Sequence, residues 1–395
     1  MESHAPADLA RALYAALAAG DRAQLDVLLH PEFTGRTAEG MPFGIGGDHD
    51  GPAAMRRNGW GAISRHFEAL AEPEEFLDLK DGRLLVKGRY RGRGKQGGAV
   101  LDAAFAHLIA IDQGRIKWLE QYTDTARWHD AAGPLRTVLL DIENHVATLR
   151  LNRPDKGNAI DADMADDLAE AATQIAERSD VRAVLIAANG PNFTVGGDLG
   201  LFAGTARERL PSRLRRMIDS YHLAIDRFTS IDAPVIAAVR GGAGGGGLGL
   251  LYVADIVVAA DDARFALGYG ALGLTADGGN TWFLPRMVGM RRAQELFLLN
   301  RRLTAQEALA FGLVSRLAPD DAVETEAAGL AAKLASGPTL AYGAVRRMLR
   351  QSFETGLSDQ LAAEKDSIVA ASNTQDAQEG IAAFVAKRRP QFHGR

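Results

Sequence analysis

Residues 234–260, PVIAAVRGGAGGGGLGLLYVADIVVAA, constrain the fold of this chain more than any other segment. Val235–Val239 is an apolar run of strand length, of the kind buried on both faces of a parallel sheet. Seven glycines follow within residues 241–249. Glycine at such density weakens regular structure, so it is expected where the backbone takes φ > 0 or where another group must come close. Arg240, the glycines and Asp255 interrupt the apolar stretch, which argues against a membrane span. The segment belongs in a buried α/β core, with its glycine turn at a point of close approach.

The flanking sequence agrees. Strand patterns at Thr137–Ile142, Val146–Leu151 and Ala183–Ala187 alternate with helical patterns at Asp161–Arg178 and around Leu210–Thr229. Such alternation predicts an α/β domain with mostly parallel strands. The first ~130 residues differ in texture. Ala7–Ala19 and Arg22–Leu29 carry helical spacing on either side of Gly20-Asp21, and the second helix is expected to stop before His30-Pro31. Phe76–Leu79, Leu84–Tyr90, Val100–Ile111 and Ile116–Tyr122 read as strands. They are separated by turns at Lys80–Gly82, Gly92–Gly98 and Asp112–Gly114. Helices followed by an antiparallel sheet make an α+β pattern. With a hinge at His129–Pro134, the 395 residues divide into an α+β domain, 1–132, and an α/β domain, 133–395.

Composition removes several chemistries. Cysteine is absent, which excludes disulfides, thiolate metal sites and cysteine nucleophiles together. Separately, no metal site and no cofactor are expected. The net charge of −5 and the scattered arginines imply no general attraction to nucleic acid or to a membrane surface. The N-terminal residues read as an amphipathic helix rather than a leader, so a cytoplasmic location is expected.

Six segments of the second domain resemble the crotonase (enoyl-CoA hydratase/isomerase) family in order and spacing: LNRPDKGNAID (151–161), FTVGGDL (193–199), residues 233–260, residues 263–289, RLTAQEALAFGLVSRL (302–317) and FVAKRRPQFHGR (384–395). The resemblance implies a spiral α/β fold and an acyl-CoA or acyl-carrier thioester as substrate, with CoA entering only as part of it. It also implies assembly as a homotrimer or hexamer through a helical region at about 335–395. On the same ground the Gly197 and Gly246 N–H groups would form an oxyanion hole for the thioester carbonyl, with the helix after Gly246 aimed at the same oxygen. Arg153 and Lys156 would line the CoA nucleotide, and Lys387 or Arg388 would reach its phosphates.

Gly249 and Tyr269 stand where family hydratases carry glutamates. Hydration needs one group to activate water and another to handle the second proton, so simple hydration is disfavoured. Asp277, eight residues beyond Tyr269, coincides with the catalytic aspartate of dienoyl-CoA and ring-opening acyl-CoA isomerases. A single base suffices to move a double bond through an enolate. The alternative for Asp277 is to cap the helix expected at Asn280–Val288. A hydratase or lyase activity stays open, as does a non-catalytic CoA-binding scaffold. Halobenzoyl-CoA dehalogenases of the superfamily offer another assignment, with Asp277 as nucleophile, His222 as the base that activates water, and Tyr269 where they place a tryptophan. His222 could instead be an ordinary helix-face residue, and Tyr269 a pocket wall.

The first domain, over residues 6–130, resembles the nuclear-transport-factor-2-like family, which includes SnoaL-like cyclases and ketosteroid isomerases. AAGDRAQLDVLLHPEF, GGDHDGPAAM and AHLIAIDQGRIKWLEQYTD carry the likeness. It implies a cone-shaped domain around a pocket, used for catalysis, for binding or only for dimerisation. His107 falls where ketosteroid isomerases hold an oxyanion-hole aspartate, and Trp60, Asp102, Tyr122 and Asp124 are the other candidate pocket residues.

Overall fold

The computed structural model describes residues 6–95 and 99–395, so the expected Gly92–Gly98 turn lies partly outside the described residues. The chain divides into two compact units, Met1–Pro134 and Leu135–Arg395.

In the first unit a helix at Pro6–Ala19 stops at Gly20, whose φ is +65°. Asp21 then caps the helix Arg22–Leu28 by accepting from the Gln24 N–H at 3.0 Å. Strands β1 (Leu29–Thr37), β2 (Gly47–Asp50), β3 (Phe67–Asp78), β4 (Leu84–Gly94), β5 (Val100–Asp112) and β6 (Arg115–Thr123) form one sheet in the order β2-β1-β6-β5-β4-β3. The sheet is mixed rather than antiparallel, because β1 lies parallel to β6. Leu29 opens β1 instead of closing the helix, so His30-Pro31 sits inside a strand. Proline is tolerated there because the β1–β6 register slips between Leu29 and Thr34, where the ladder is interrupted. Strand β3 likewise begins well before Phe76, and Pro73 is accommodated on this edge strand beside a bulge. The expected hinge at His129 is helical instead: Thr125–Ala132 is a helix ending at Gly133 with φ +80°.

Strand alternation decides which candidate residues face inward. Leu101, Ala103, Phe105, His107 and Ile109 of β5 are buried, while Asp102 points outward and pairs with Arg89. Tyr122 is 50% exposed on the outer face of β6. Asp124 caps the Thr125–Ala132 helix through the Arg127 N–H. Trp60 ends a π-helical turn, Met55–Trp60, and packs near Phe33. Of the five candidates only His107 is held in the interior by polar partners. Its Nδ1 lies 2.8 Å from the Tyr14 hydroxyl and its Nε2 3.1 Å from the Tyr90 hydroxyl, to which Gln121 also donates. Burial pushes both phenols up and lowers His107 to about 3.

In the second unit, β7 (Val138–Glu143) and β8 (Val146–Leu151) form an antiparallel hairpin. Strands β9 (Ala183–Ala188), β10 (Val235–Val239), β11 (Gly242–Gly244), β12 (Ile256–Ala260), β13 (Arg264–Ala266), β14 (Arg302–Thr304) and β15 (Arg316–Ala318) follow. The main sheet runs β15-β12-β10-β9-β8-β7 and is parallel apart from the hairpin; β11-β13-β14 makes a small second sheet. Every residue of β9 and β10 is buried, as a central parallel strand requires. Helices Ala162–Glu177 and Leu210–Ser230 pack on one another, and Val323–Ala335 packs on β9 and β10. The chain ends in helices Thr339–Gln351, Leu357–Ser372 and Gln375–Val385. No helix among the described residues is long and apolar enough to cross a membrane.

His107 makes the first unit acid-sensitive. In the unfolded chain it protonates near pH 6.5, whereas the buried ring resists until about pH 3. As pH falls from 6.5 toward 3 the unfolded state binds the extra proton, so stability falls by up to about 1.4 kcal/mol per pH unit. Denaturant titrations of a Trp282→Phe chain, followed by the fluorescence of the remaining Trp60, Trp118 and Trp128, should show this slope, and His107→Gln should reduce it, with the buried His49, also lowered by burial, supplying part of what remains.

Candidate active site

The site is assembled where three backbone segments touch. Thr194 forms a parallel bridge with Ala243, and the Gly244 N–H donates to the Thr194 carbonyl at 2.9 Å, laying the loop after β9 along β11. Gly196 has φ +90°, and a Cβ there would stand 2.8 Å from the Gly244 carbonyl oxygen. The chain then enters a 3-10 turn, Gly245–Leu248, continued by one helical turn, Gly249–Tyr252. Such a short helix has little macrodipole, so the expected help from a helix field reduces to local N–H groups. The Gly197 and Gly246 N–H groups make no turn or loop hydrogen bond among the described residues, and both glycines line the same cavity of about 320 Å³.

Asp277 faces that cavity from a third segment. A Cβ on residue 246 would lie 2.6 Å from its Oδ1, so the carboxylate stands directly over the glycine turn. The Tyr269 hydroxyl donates to the same Oδ1. The phenol oxygen in turn accepts from the Asp277 N–H at 3.3 Å and from Asn280 Nδ2 at 3.2 Å. Burial, and next the Asp277 charge, push the Tyr269 phenol far up, so it is a neutral donor. Tyr269 is thus a carboxylate partner rather than only a wall. Asp277 does not cap the following helix: Gly279 occupies the cap position and makes no side-chain cap bond.

Two contributors were not legible in the sequence. Asn280 is fully buried; its Nδ2 also reaches the Asp277 carbonyl at 2.8 Å and the Gly245 carbonyl at 3.2 Å, while its Oδ1 accepts from the Tyr252 hydroxyl. Tyr221 donates to the Gly246 carbonyl at 2.7 Å. Its oxygen also explains Gly249, where a Cβ would meet the Gly278 carbonyl at 2.7 Å, Ile225 at 2.7 Å and the Tyr221 hydroxyl at 2.8 Å. The only available signal was a lone Asn after Gly278-Gly279 and a Tyr one residue before His222.

His222 and Arg153 are engaged elsewhere. His222 is exposed in a separate cleft, and its Nε2 accepts the Gly278 N–H at 3.1 Å, so its basic lone pair is occupied. Arg153, expected in the segment that lines the CoA nucleotide, is tied to Asp161 at 2.9 Å and to Asp198 at 3.2 Å. Lys156 and Lys387 are both exposed. Lys156 precedes Gly157, whose carbonyl accepts from the N–H of the cavity residue Val195. Lys387 follows the last helix with φ +52°. His107, Trp60, Asp102, Tyr122 and Asp124 belong to the first unit and are not gathered into one polar cluster there.

The sequence model of the enoyl-CoA hydratase/isomerase family matches residues 141–395. The chain belongs to that family. It is an enzyme of the hydratase/isomerase type within the crotonase superfamily. Two curated members from Escherichia coli K12 are each 34% identical to it over 258 residues, 65% of this chain. One is 1,2-epoxyphenylacetyl-CoA isomerase, covered over 98% of its length, and the other 2,3-dehydroadipyl-CoA hydratase, covered over 99%. A solved enoyl-CoA hydratase from Polaromonas sp. JS666 superposes with a TM-score of 0.62 at 32% identity, over 65% of this chain and 99% of that one. Equal identity to an isomerase and a hydratase means that overall similarity does not select the reaction, and the site residues must.

Gly249→Glu should fail to install hydratase activity. The new side chain meets the Gly278 carbonyl and Tyr221, so the expected result is destabilisation of about 1–3 kcal/mol in denaturant unfolding, with no water addition to an enoyl thioester. Asn280→Ala leaves several buried polar groups unpaired, at roughly 1–3 kcal/mol for each group stranded, and should lower the unfolding midpoint and turnover together.

Proposed function

We propose that the second unit is an acyl-CoA or acyl-carrier-thioester isomerase that moves a double bond through an enolate. The observation that carries this reading is a single carboxylate, Asp277, seated over the Gly246 turn, with no second carboxyl group among the described residues lining the cavity. The Gly197 and Gly246 N–H groups receive the thioester oxygen, and each such donor is typically worth about 2.7–4 kcal/mol in the transition state. Asp277 removes a proton from the carbon next to the thioester carbonyl, the electron pair passes into the enolate, and the same proton returns two carbons along the chain. The Tyr269 hydroxyl holds Oδ1 in place, leaving Oδ2 to the substrate. Hydration fits less well, because no second carboxyl group among the described residues lines the cavity. Dehalogenase-like hydrolysis also fits less well, since the His222 lone pair is taken by a backbone N–H outside the cavity lining.

CoA recognition falls in this reading to Lys156 and Lys387, with Arg153 joining the Lys156 segment to Asp198. Assembly as a trimer or hexamer is proposed through residues 335–395, where Leu357 and Phe384 are 75% and 85% exposed. The first unit is proposed to be a nuclear-transport-factor-2-like domain with a structural role. Phe33, Phe67, Tyr90, Phe105 and Trp128 are buried in its interior.

The test is exchange of α- and γ-protons of enoyl-CoAs with deuterated water. Asp277→Asn should slow exchange by about 10²–10⁴-fold, and Tyr269→Phe by a smaller factor. Equal exchange by wild type and Asp277→Asn would sink the reading.

A further inference from the structure

We infer that the acyl group taken by this cavity is apolar and carries no charge at its far end; this deepens the thioester reading above and rests on it. Beyond the glycine turn the wall is built by Phe202, Leu214, Met217, Ile218, Leu272 and Leu274. No Lys, Arg or His lines the cavity among the described residues, and the one charged lining residue is Asp277. Arginine is abundant close by in sequence, yet the structure turns it away. Arg213 donates to Thr205 and Arg216 to Asp166, while Arg215 is exposed, so Leu214, Met217 and Ile218 alone present this helix to the cavity. A distal carboxylate would lose water without gaining a cation; the lining side chains offer it only the Thr275 hydroxyl besides Tyr269, which is committed to Asp277, and such burial is strongly unfavourable. It would also share the cavity with the Asp277 carboxylate. Apolar carbon meets mostly apolar surface there. The volume, at about 30 Å³ for each water-sized group, holds roughly ten such groups, enough for a thioester head and a medium-length or ring-bearing acyl body.

Saturated thioesters, which have no double bond to move, separate binding from chemistry. Calorimetry on the full chain should show octanoyl-CoA and cyclohexylacetyl-CoA binding at least 100-fold more tightly than suberyl-CoA, whose chain ends in a carboxylate. The preference should persist at tenfold or more in Asp277→Asn, which removes the repulsion by Asp277 and leaves the apolar wall in place. Leu214→Arg, at a half-buried position, should narrow the gap at least tenfold by supplying a cation, whereas Leu214→Met should not. Suberyl-CoA binding within threefold of octanoyl-CoA overturns the inference, as does failure of all three to bind. Loss of the isomerase reading has a different signature: the binding preference stays intact while Asp277→Asn exchanges protons as fast as wild type.

Discussion

Backbone must touch backbone at this site, and the rest of the second unit is organised around that requirement. A Cβ at residue 196 would collide with the Gly244 carbonyl, and one at residue 278, where φ is +61°, would stand 2.5 Å from the Gly246 carbonyl. With side chains at these points the loop after β9, the turn after β11 and the Asp277 segment would be held apart by a layer of carbon. Without them, Gly197, Gly246 and one carboxylate line the same small cavity. The parallel sheet supplies rigidity beneath, since β9 and β10 are buried along their whole length.

The polar groups follow from the same close approach. A carboxylate set against a glycine turn needs its geometry fixed by something other than solvent. Tyr269 donates to it, Asn280 ties its backbone to both the turn and the phenol, and Tyr221 holds the Gly246 carbonyl from below. Three tyrosines, Tyr221, Tyr252 and Tyr269, are all pushed up by burial and act as neutral donors. The space a hydratase glutamate would need at residue 249 is filled by Tyr221 and by the Gly278 carbonyl. Loss of that carboxyl group is therefore built into the packing and does not leave a vacancy.

Much of the second unit was legible because its signals are local. Val146–Leu151 and Val235–Val239 appear in the structure with the same limits that their apolar runs suggest, and the Ala162–Glu177 helix carries its Asp161 cap. The first unit was less legible. Strand β1 contains a proline, and β3 begins in an acidic stretch, EALAEPEE, with no strong strand signature. Both are strands only because neighbours pair with them and register slips accommodate the prolines.

Sequence alone determined the alternation of strands and helices from β7 to β10, the glycine segments, the family, and the absence of the two expected glutamates. These depend on periodicity, on backbone freedom at single positions, and on spacing along the chain. Tertiary structure decided which side chains meet. It turned Arg153 inward to Asp161 and Asp198, gave the His222 lone pair to Gly278, faced Asp102 and Tyr122 outward, and made Asn280 the centre of the site. Each of these outcomes depends on a partner brought close by packing, on burial, or on the face of a strand, and no local pattern encodes them.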